Sequence, residues 1–355
     1  MRQSARPIYL SVTILLFNFI LSMSKKRIAI NGFGRIGRAV FKIAIEKKDI
    51  DIVAINDLTS ADILVHLLRY DTAYGHFKKD VKVNMGKIVV DGESIAVYAE
   101  PDPKKLPWRE LGVDIVLECT GRFTDNKSAL QHIEAGAKKV ILSAPAKGDD
   151  GSVPTFLIGV NDDQYAGETV LSNASCTTNC LAPVAKVLHD AFGIKKALMT
   201  TVHSYTADQN LEDGPHKDLR RARAAAQNIV PTTTGAAIAV TQVIPDLRGL
   251  FDGLSLRVPT VLGSLSDFTI LLEKKTTKEE INRILKEAAA EPRYQKVLSV
   301  TEEPLVSSDF IGNPYSSIVD LSLTKVVDGD LVKVVAWYDN EWGYSNRLVE
   351  MTEII

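Results

Sequence analysis

Cys176 opens the segment Ser175-Cys-Thr-Thr-Asn-Cys180, which reads as the end of a strand running straight into a helix. A thiol in the first turn of a helix feels the positive end of the dipole, which lowers its pKa and enriches the thiolate. The chemistry this suits is nucleophilic attack with a covalent sulfur intermediate. Cys180 falls one turn deeper, away from the free N–H groups, and is expected to be structural. Both could instead be small buried hydrophobes, a common fate of cysteine. A zinc site is not indicated, because no further Cys and no His at ligand spacing lies nearby. A thiolate wants a base, and His203, at the end of the strand predicted over Ala197–Val202, is the best candidate. A lone histidine in that place is often only structural. The others are weaker: His66, His76 and His132 belong to the first half, His189 sits within a helix, and His216 lies in a loop.

A second constellation is Gly32-Phe-Gly34-Arg-Ile-Gly37, placed between a strand and a helix. Gly32 permits the tight turn, Gly34 clears the approach of a pyrophosphate, and Gly37 allows close helix–strand packing. The phosphates would then rest at the helix N-terminus. Asp57 closes the next strand, where a carboxylate accepts both ribose hydroxyls and repels a 2′-phosphate, so NAD is expected rather than NADP. The plain alternative is a structural glycine turn followed by an ordinary strand-end aspartate.

Positioning these groups requires alternating elements. Strands are predicted over Arg27–Asn31, Ile50–Asn56, Lys87–Val90, Ile95–Ala99, Ile115–Glu118 and Val140–Ser143. Helices are predicted from Gly37 to about Lys48, Ala61–Arg69 and Asn126–Ala135. That βαβ pattern is the unit of a parallel sheet. The second half differs, with a helix from Cys176 to Phe192, a strand from Lys196 to Ser204, and a strand-poor stretch from Tyr205 to Pro231. Long strands are predicted over Val258–Glu273 and Ser317–Val335, a helix over Lys278–Glu291 between them, and a last helix over Trp342–Ile355. Longer strands with polar alternation point to a mixed, largely antiparallel sheet covered on one face. The expected class is α/β: a Rossmann dinucleotide-binding domain over 23–174, completed by 340–355, and an α+β catalytic domain over 175–339.

Among 355 residues, 45% are hydrophobic and 24% charged, the balance of a soluble globular chain. The formal net charge of -2 offers no overall basic field, so no nucleic-acid partner is expected. Three cysteines make no disulfide framework and suit a reducing, cytoplasmic setting. An apolar run over 8–21 follows Arg2 and Arg6. It has the layout of a signal peptide without a convincing cleavage site, and is short of the ~20 residues a membrane span needs. Met23 is expected to be the true start, with 1–22 upstream sequence and no membrane association.

Taken together, these motifs resemble phosphorylating glyceraldehyde-3-phosphate dehydrogenase. The resemblance rests on Asn31-Gly-Phe-Gly-Arg-Ile-Gly-Arg38, Ser172-Asn-Ala-Ser-Cys-Thr-Thr-Asn-Cys180, His203-Ser-Tyr-Thr206, Pro231-Thr-Thr-Thr-Gly-Ala-Ala237, Arg257-Val-Pro259 and Trp337-Tyr-Asp-Asn-Glu-Trp-Gly-Tyr344. It runs collinearly from about Met23 to the C-terminus. It implies that Cys176 attacks the aldehyde of glyceraldehyde 3-phosphate and that His203 acts as base. Inorganic phosphate would then cleave the thioacyl-enzyme. It also implies two anion sites built from Ser175, Thr177, Thr206, Arg223, Thr234, Gly235 and Arg257. For NAD it implies Gly32, Gly34, Arg35, Ile36, Gly37, Asp57, Thr120 and Asn340, with Ile36 against the nicotinamide and Asn340 on its carboxamide. It further implies that the C-terminal helix returns to the first domain, and a homotetramer in which the 205–231 loop packs near a neighbour's cofactor.

Departures are few. Glu100-Pro-Asp-Pro103 lacks the basic residue usual near the adenine, and Val261-Leu-Gly-Ser-Leu-Ser-Asp267 replaces Pro-Asn-Val-Ser-Val-Val-Asp. The rivals are erythrose-4-phosphate dehydrogenase, which hydrolyses its thioacyl intermediate, and a non-catalytic Rossmann binding protein.

Overall fold

The computed structural model describes residues 25–148 and 152–355, so the expectations for the N-terminal 22 residues lie outside the described residues. The first half begins with β1 (Lys26–Asn31), α1 (Arg35–Ala44), β2 (Ile50–Asn56) and α2 (Ala61–Arg69). A small pair follows, β3 (Tyr70–Asp71) with β4 (Gly75–His76), and then β5 (Val81–Asn84), β6 (Lys87–Val90) and β7 (Glu93–Tyr98). β8 (Ile115–Glu118), α3 (Asn126–Glu134), β9 (Lys139–Leu142) and β10 (Val170–Ser172) complete the set. The sheet order is β10-β9-β8-β1-β2-β7-β6-β5. Strand order reverses around β1, so the loops after β1 and β8 flank the crevice where such sheets bind ligands.

This sheet is not parallel throughout. β5, β6 and β7 form an antiparallel meander. Two tight turns impose it: Met85-Gly86 and Asp91-Gly92 all have positive φ. That is the backbone of hairpin turns whose twist matches their strands. α1 starts at Arg35 rather than Gly37, because Gly34 is already the N-cap.

The second half contains α4 (Cys176–Phe192), β11 (Ile194–Ser204), β12 (Val230–Thr232), α5 (Ala236–Val243), β13 (Phe251–Val258) and β14 (Ser264–Leu272). After α6 (Lys278–Ala290) come β15 (Leu298–Thr301), β16 (Ser317–Asp320), β17 (Lys325–Val327), β18 (Leu331–Tyr338) and α7 (Trp342–Ile354). The sheet order β12-β13-β11-β14-β18-β16-β15 is mixed and mostly antiparallel. β14 alternates buried and half-buried residues along its whole length, as a sheet covered on one face requires.

Two expected long strands are interrupted. Over 258–273 the chain leaves β13 at Val258 and re-enters the sheet at Ser264, turning through Gly263 at φ 86°. A Cβ on Gly263 would stand 2.1 Å from the Ser307 carbonyl oxygen, so the turn is closed to other residues. Over 317–335 a turn at Leu321–Leu323 and the Asp328-Gly329 hairpin divide the run into three strands. β13 and α5 were not anticipated: Ala-Ala-Ile-Ala-Val has no helical stripe and no side-chain cap.

α7 crosses back to the first sheet. Tyr344, Leu348, Val349 and Met351 join the core that contains Val40 and Phe41 of α1. Each such apolar side chain stabilises the packing by about 1.5–3 kcal/mol. The Lys26 ammonium at the start of β1 donates to the Thr352 carbonyl at 2.7 Å. No helix of the described residues is long and apolar enough to cross a membrane.

Candidate active site

The chain reaches α4 through a strained turn. Ala174 adopts φ 52°, which costs a non-glycine residue about 1 kcal/mol. The turn is held by the Tyr344 hydroxyl, which donates to the Ala174 carbonyl at 3.0 Å, and by the Ala174 N–H, which donates to Ser172 Oγ at 2.9 Å. Ser175 then caps the helix, its hydroxyl accepting the Thr178 N–H at 3.1 Å. Cys176 is therefore the first helical residue, and its sulfur receives the N–H groups of Cys176 and Thr177.

Cys176 Sγ lies 3.5 Å from His203 Nε2. His203 sits near the end of β11, and its Nδ1–H donates to the Ser204 carbonyl at 2.7 Å. That bond leaves the Nε2 lone pair facing the thiol, the tautomer a base requires. Arg257 pairs with His203 in register across β11 and β13. Its guanidinium can only donate. It bonds the Ser204 carbonyl at 3.2 Å and crowds Nδ1 at 2.9 Å. Its Nε is buried and meets no partner among the described residues, as suits a group reserved for an anion.

Burial pushes all three thiols up, Cys119 and Cys180 to about 12. This runs against the lowered thiol pKa expected from the helix start alone. At Cys176, Arg257 and the Thr177 groups pull the other way. Burial, reinforced by Arg257, pushes His203 down to about 3. Both effects disfavour an isolated charge. A proton passed from Sγ to Nε2 instead creates two opposite charges side by side, whose attraction offsets desolvation.

This pair opens into a cavity of about 470 Å³ whose lining includes Arg35, Ile36, Thr120, Ser175, Thr206 and Asn340. A neighbouring cavity of about 280 Å³ is lined by Gly32, Gly34, Asp57, Pro101 and again Thr120. The two meet at Cys119 and Thr120, after β8. The glycine turn fits a dinucleotide. Gly32 has φ 92° and its Cβ would stand 2.7 Å from Thr120 N, while a Cβ on Gly37 would strike the Gly32 carbonyl at 2.0 Å. At Gly34 a Cβ would meet nothing within 4 Å, so that backbone is open to a ligand. No side chain among the described residues caps α1, which leaves its first N–H groups to an anion.

Asp57 does more than its expected role. Its carboxylate accepts the Phe33 N–H at 2.7 Å and the Thr59 N–H at 2.9 Å, so it also braces the glycine turn. Free lone pairs remain for ribose hydroxyls. Asp57→Ala is expected to lower kcat/KM for NAD about tenfold and for NADP far less, narrowing the ratio between them. Steady-state kinetics with both cofactors check this, and an unchanged ratio would count against Asp57 as the selector.

The expected anion ligands are only partly assembled. Thr177 is buried with its hydroxyl 3.0 Å from Tyr338 OH. Thr234 Oγ1 accepts the Ala236 N–H at 3.2 Å at the start of α5, where Gly235 is the N-cap. Neither Thr234 nor Gly235 lines the Cys176 cavity. Arg223 is not brought to the site: its side chain is 60% exposed and pairs with Asp213 at 2.7 Å, out in the loop. Arg221 instead turns inward. It donates to Thr232 Oγ1 at 2.9 Å, pairs with cavity-lining Asp208, and is close enough to Arg257 to lower its pKa. Four residues of basic run carry no phase in an irregular loop; the β12–β13 pairing that places Thr232 decides which arginine faces in.

A dinucleotide crevice continuous with a thiol–imidazole pair defines a nicotinamide-dependent oxidoreductase acting on an aldehyde. Residues 26–126 match the NAD binding domain of glyceraldehyde 3-phosphate dehydrogenase, and residues 175–340 match its C-terminal domain. The chain is 56% identical over 331 residues to the glyceraldehyde-3-phosphate dehydrogenase of Geobacillus stearothermophilus, covering 93% of this chain and 98% of that one. It is 55% identical over 332 residues to that of Thermotoga maritima, and 54% over 331 residues to glyceraldehyde-3-phosphate dehydrogenase 1 of Bacillus subtilis, with the same coverage. The chain belongs to the glyceraldehyde-3-phosphate dehydrogenase family, and its cofactor is NAD.

Proposed function

We propose that this enzyme converts D-glyceraldehyde 3-phosphate, NAD and inorganic phosphate to 1,3-bisphosphoglycerate, through a hemithioacetal and a thioacyl-enzyme on Cys176. The single observation that carries this reading is the 3.5 Å contact between Cys176 Sγ and His203 Nε2, inside a cavity that adjoins the glycine turn. His203 takes the thiol proton as sulfur attacks the aldehyde carbon and hands it to the new oxyanion, giving the hemithioacetal hydroxyl; freed again, Nε2 takes that hydroxyl proton back in the next step. When bound, NAD accepts the hydride. The Cys176 N–H and the imidazolium stabilise the oxyanion. Phosphate then attacks the thioester and releases the thiolate.

Gly32, Gly34, Arg35, Ile36, Gly37, Asp57, Thr120 and Asn340 would hold NAD, and Ser175, Thr177, Thr206, Thr234, Gly235 and Arg257 the two phosphates, with Arg221 in place of Arg223. An anion on Arg257 would draw its field from His203 and ease protonation of the ring. We further read the chain as two domains, 23–174 with 340–355 and 175–339, assembled as a cytoplasmic homotetramer. The exposed Leu198 of β11 and Leu254 of β13 support an assembly surface on the second sheet.

The test is an assay of NADH formation with and without phosphate. Full turnover is expected only with phosphate, and one stoichiometric burst followed by a near-stall without it. Equal steady rates would transfer the assignment to the hydrolysing sister activity.

A further inference from the structure

Asn340 lies just past β18, and the backbone around it is tightly held. Asp339 accepts the N–H groups of Glu341 at 2.9 Å, Trp342 at 2.8 Å and Gly312 at 2.8 Å, along with the Tyr74 hydroxyl at 2.9 Å. Glu341 grips Arg35 of α1 with both oxygens, at 3.0 and 2.9 Å from Nε. Asn340 is 5% exposed and lines the cavity with Cys176 and His203. The main conformational freedom left to it is which end of its amide faces the cavity.

Ser264, the first residue of β14 and fully buried, decides this. Its Oγ accepts the Ser204 N–H at 3.1 Å and lies 3.0 Å from Asn340 Oδ1. A serine hydroxyl carries one proton. With Oγ already accepting from Ser204, that proton goes to Asn340 Oδ1, its one acceptor among the described residues. Turning the amide over would aim an NH2 group at Oγ and strand the serine proton in a dry site, which buried hydroxyls avoid. Oδ1 therefore stays on Ser264. Nδ2, which meets no acceptor among the described residues, is left as a donor to the cavity.

We propose that Ser264 is a positioning residue for the nicotinamide: by holding Asn340 Oδ1 it makes Asn340 a donor, so the carboxamide must offer its oxygen. A rotation of the ring by half a turn about its glycosidic bond would carry the carboxamide away from that donor and present the opposite C4 face. Ser264 thus enforces the face to which hydride is delivered. Through Ser204, whose carbonyl holds His203 Nδ1, the same chain of bonds aligns this anchor with the base. The inference rests on Asn340 contacting the carboxamide, and goes beyond that contact to what fixes its polarity.

The test uses the full-length assembled enzyme with Ser264→Ala, Asn340→Ala and the double variant. Affinity is measured for NAD and for ADP-ribose, which lacks only the nicotinamide, and 4-deuterated cofactor reports the C4 face used. Ser264→Ala is expected to weaken NAD about five- to tenfold, leave ADP-ribose unchanged, and yield a measurable fraction of transfer at the wrong face. It should add nothing in the Asn340→Ala background. If Asn340→Ala loses affinity and face selection while Ser264→Ala keeps both, the proposal is overturned. Weakened ADP-ribose in Ser264→Ala would reduce the residue to a packing role, overturning it equally. Should Asn340→Ala keep NAD affinity and face strictness, the carboxamide contact itself is wrong, and the proposal goes with it.

Discussion

Replacing Cys176 by alanine is expected to lower kcat for NADH formation by about 10⁴-fold or more, the scale on which covalent catalysis fails when its nucleophile is removed. No other thiol can stand in. Cys180 lies wholly inside the second core, with its sulfur 3.7 Å from Ser317 Oγ and 3.8 Å from the Ala336 carbonyl. Cys119 borders the cavity, yet no imidazole among the described residues pairs with it, and burial with the Glu118 charge holds its thiol up at about 12. Cys180→Ala should retain most of the activity and lose about 1–2 kcal/mol of stability to the small void it leaves. Stopped-flow single turnover on both variants checks this. A dead Cys180→Ala beside a live Cys176→Ala would overturn the assignment of the nucleophile.

His203→Asn is expected to reduce kcat by about 10²–10⁴-fold, the usual worth of a general base. The same variant should slow alkylation of Cys176 by iodoacetamide at neutral pH. Burial raises the thiol pKa, and in the proposed mechanism the thiolate forms by handing its proton to Nε2 over 3.5 Å. Without that acceptor the thiol must ionise alone in a buried site, so its reactivity should require more alkaline pH. Unchanged NAD affinity is the control for correct folding of the variant, because His203 belongs to β11 rather than to the glycine turn. If alkylation kept its wild-type rate and pH profile, His203 would not be activating the thiol.

These two residues differ in how readily the chain declares them. Cys176 follows a strand and opens α4, both local features, so a helix-start thiol is legible from six consecutive residues. The glycine turn is legible for the same reason, since Gly32 and Gly37 are demanded by contacts within one strand–turn–helix unit. His203 is not. Its partnership with a thiol 27 positions away exists only because β11 delivers it beside the start of α4. Arg257 is further still, placed by register against β11 across 54 positions. The resemblance implies Arg223, but the run around it has no local period, and the loop turns Arg221 inward instead. The antiparallel meander of β5 to β7 shows the converse. Its strands are visible in composition, but their direction is set by two positive-φ turns that only the backbone exhibits.

By itself, then, the amino-acid sequence determined what short-range chemistry can determine: the glycine turn, the thiol at a helix start, the carboxylate after β2, and the alternation of elements. Tertiary structure alone decided the state and company of these groups. It raised the pKa of a thiol that the helix start would lower, set Asp57 to bracing the turn, left Arg257 Nε without a partner among the described residues, and pointed Asn340 by way of Ser264. The reason is physical. A local motif is specified by dihedral preference and nearest neighbours, whereas desolvation and hydrogen-bond polarity depend on everything packed within a few ångströms. Those neighbours are drawn from across the chain by sheet register and by the apolar face of α7.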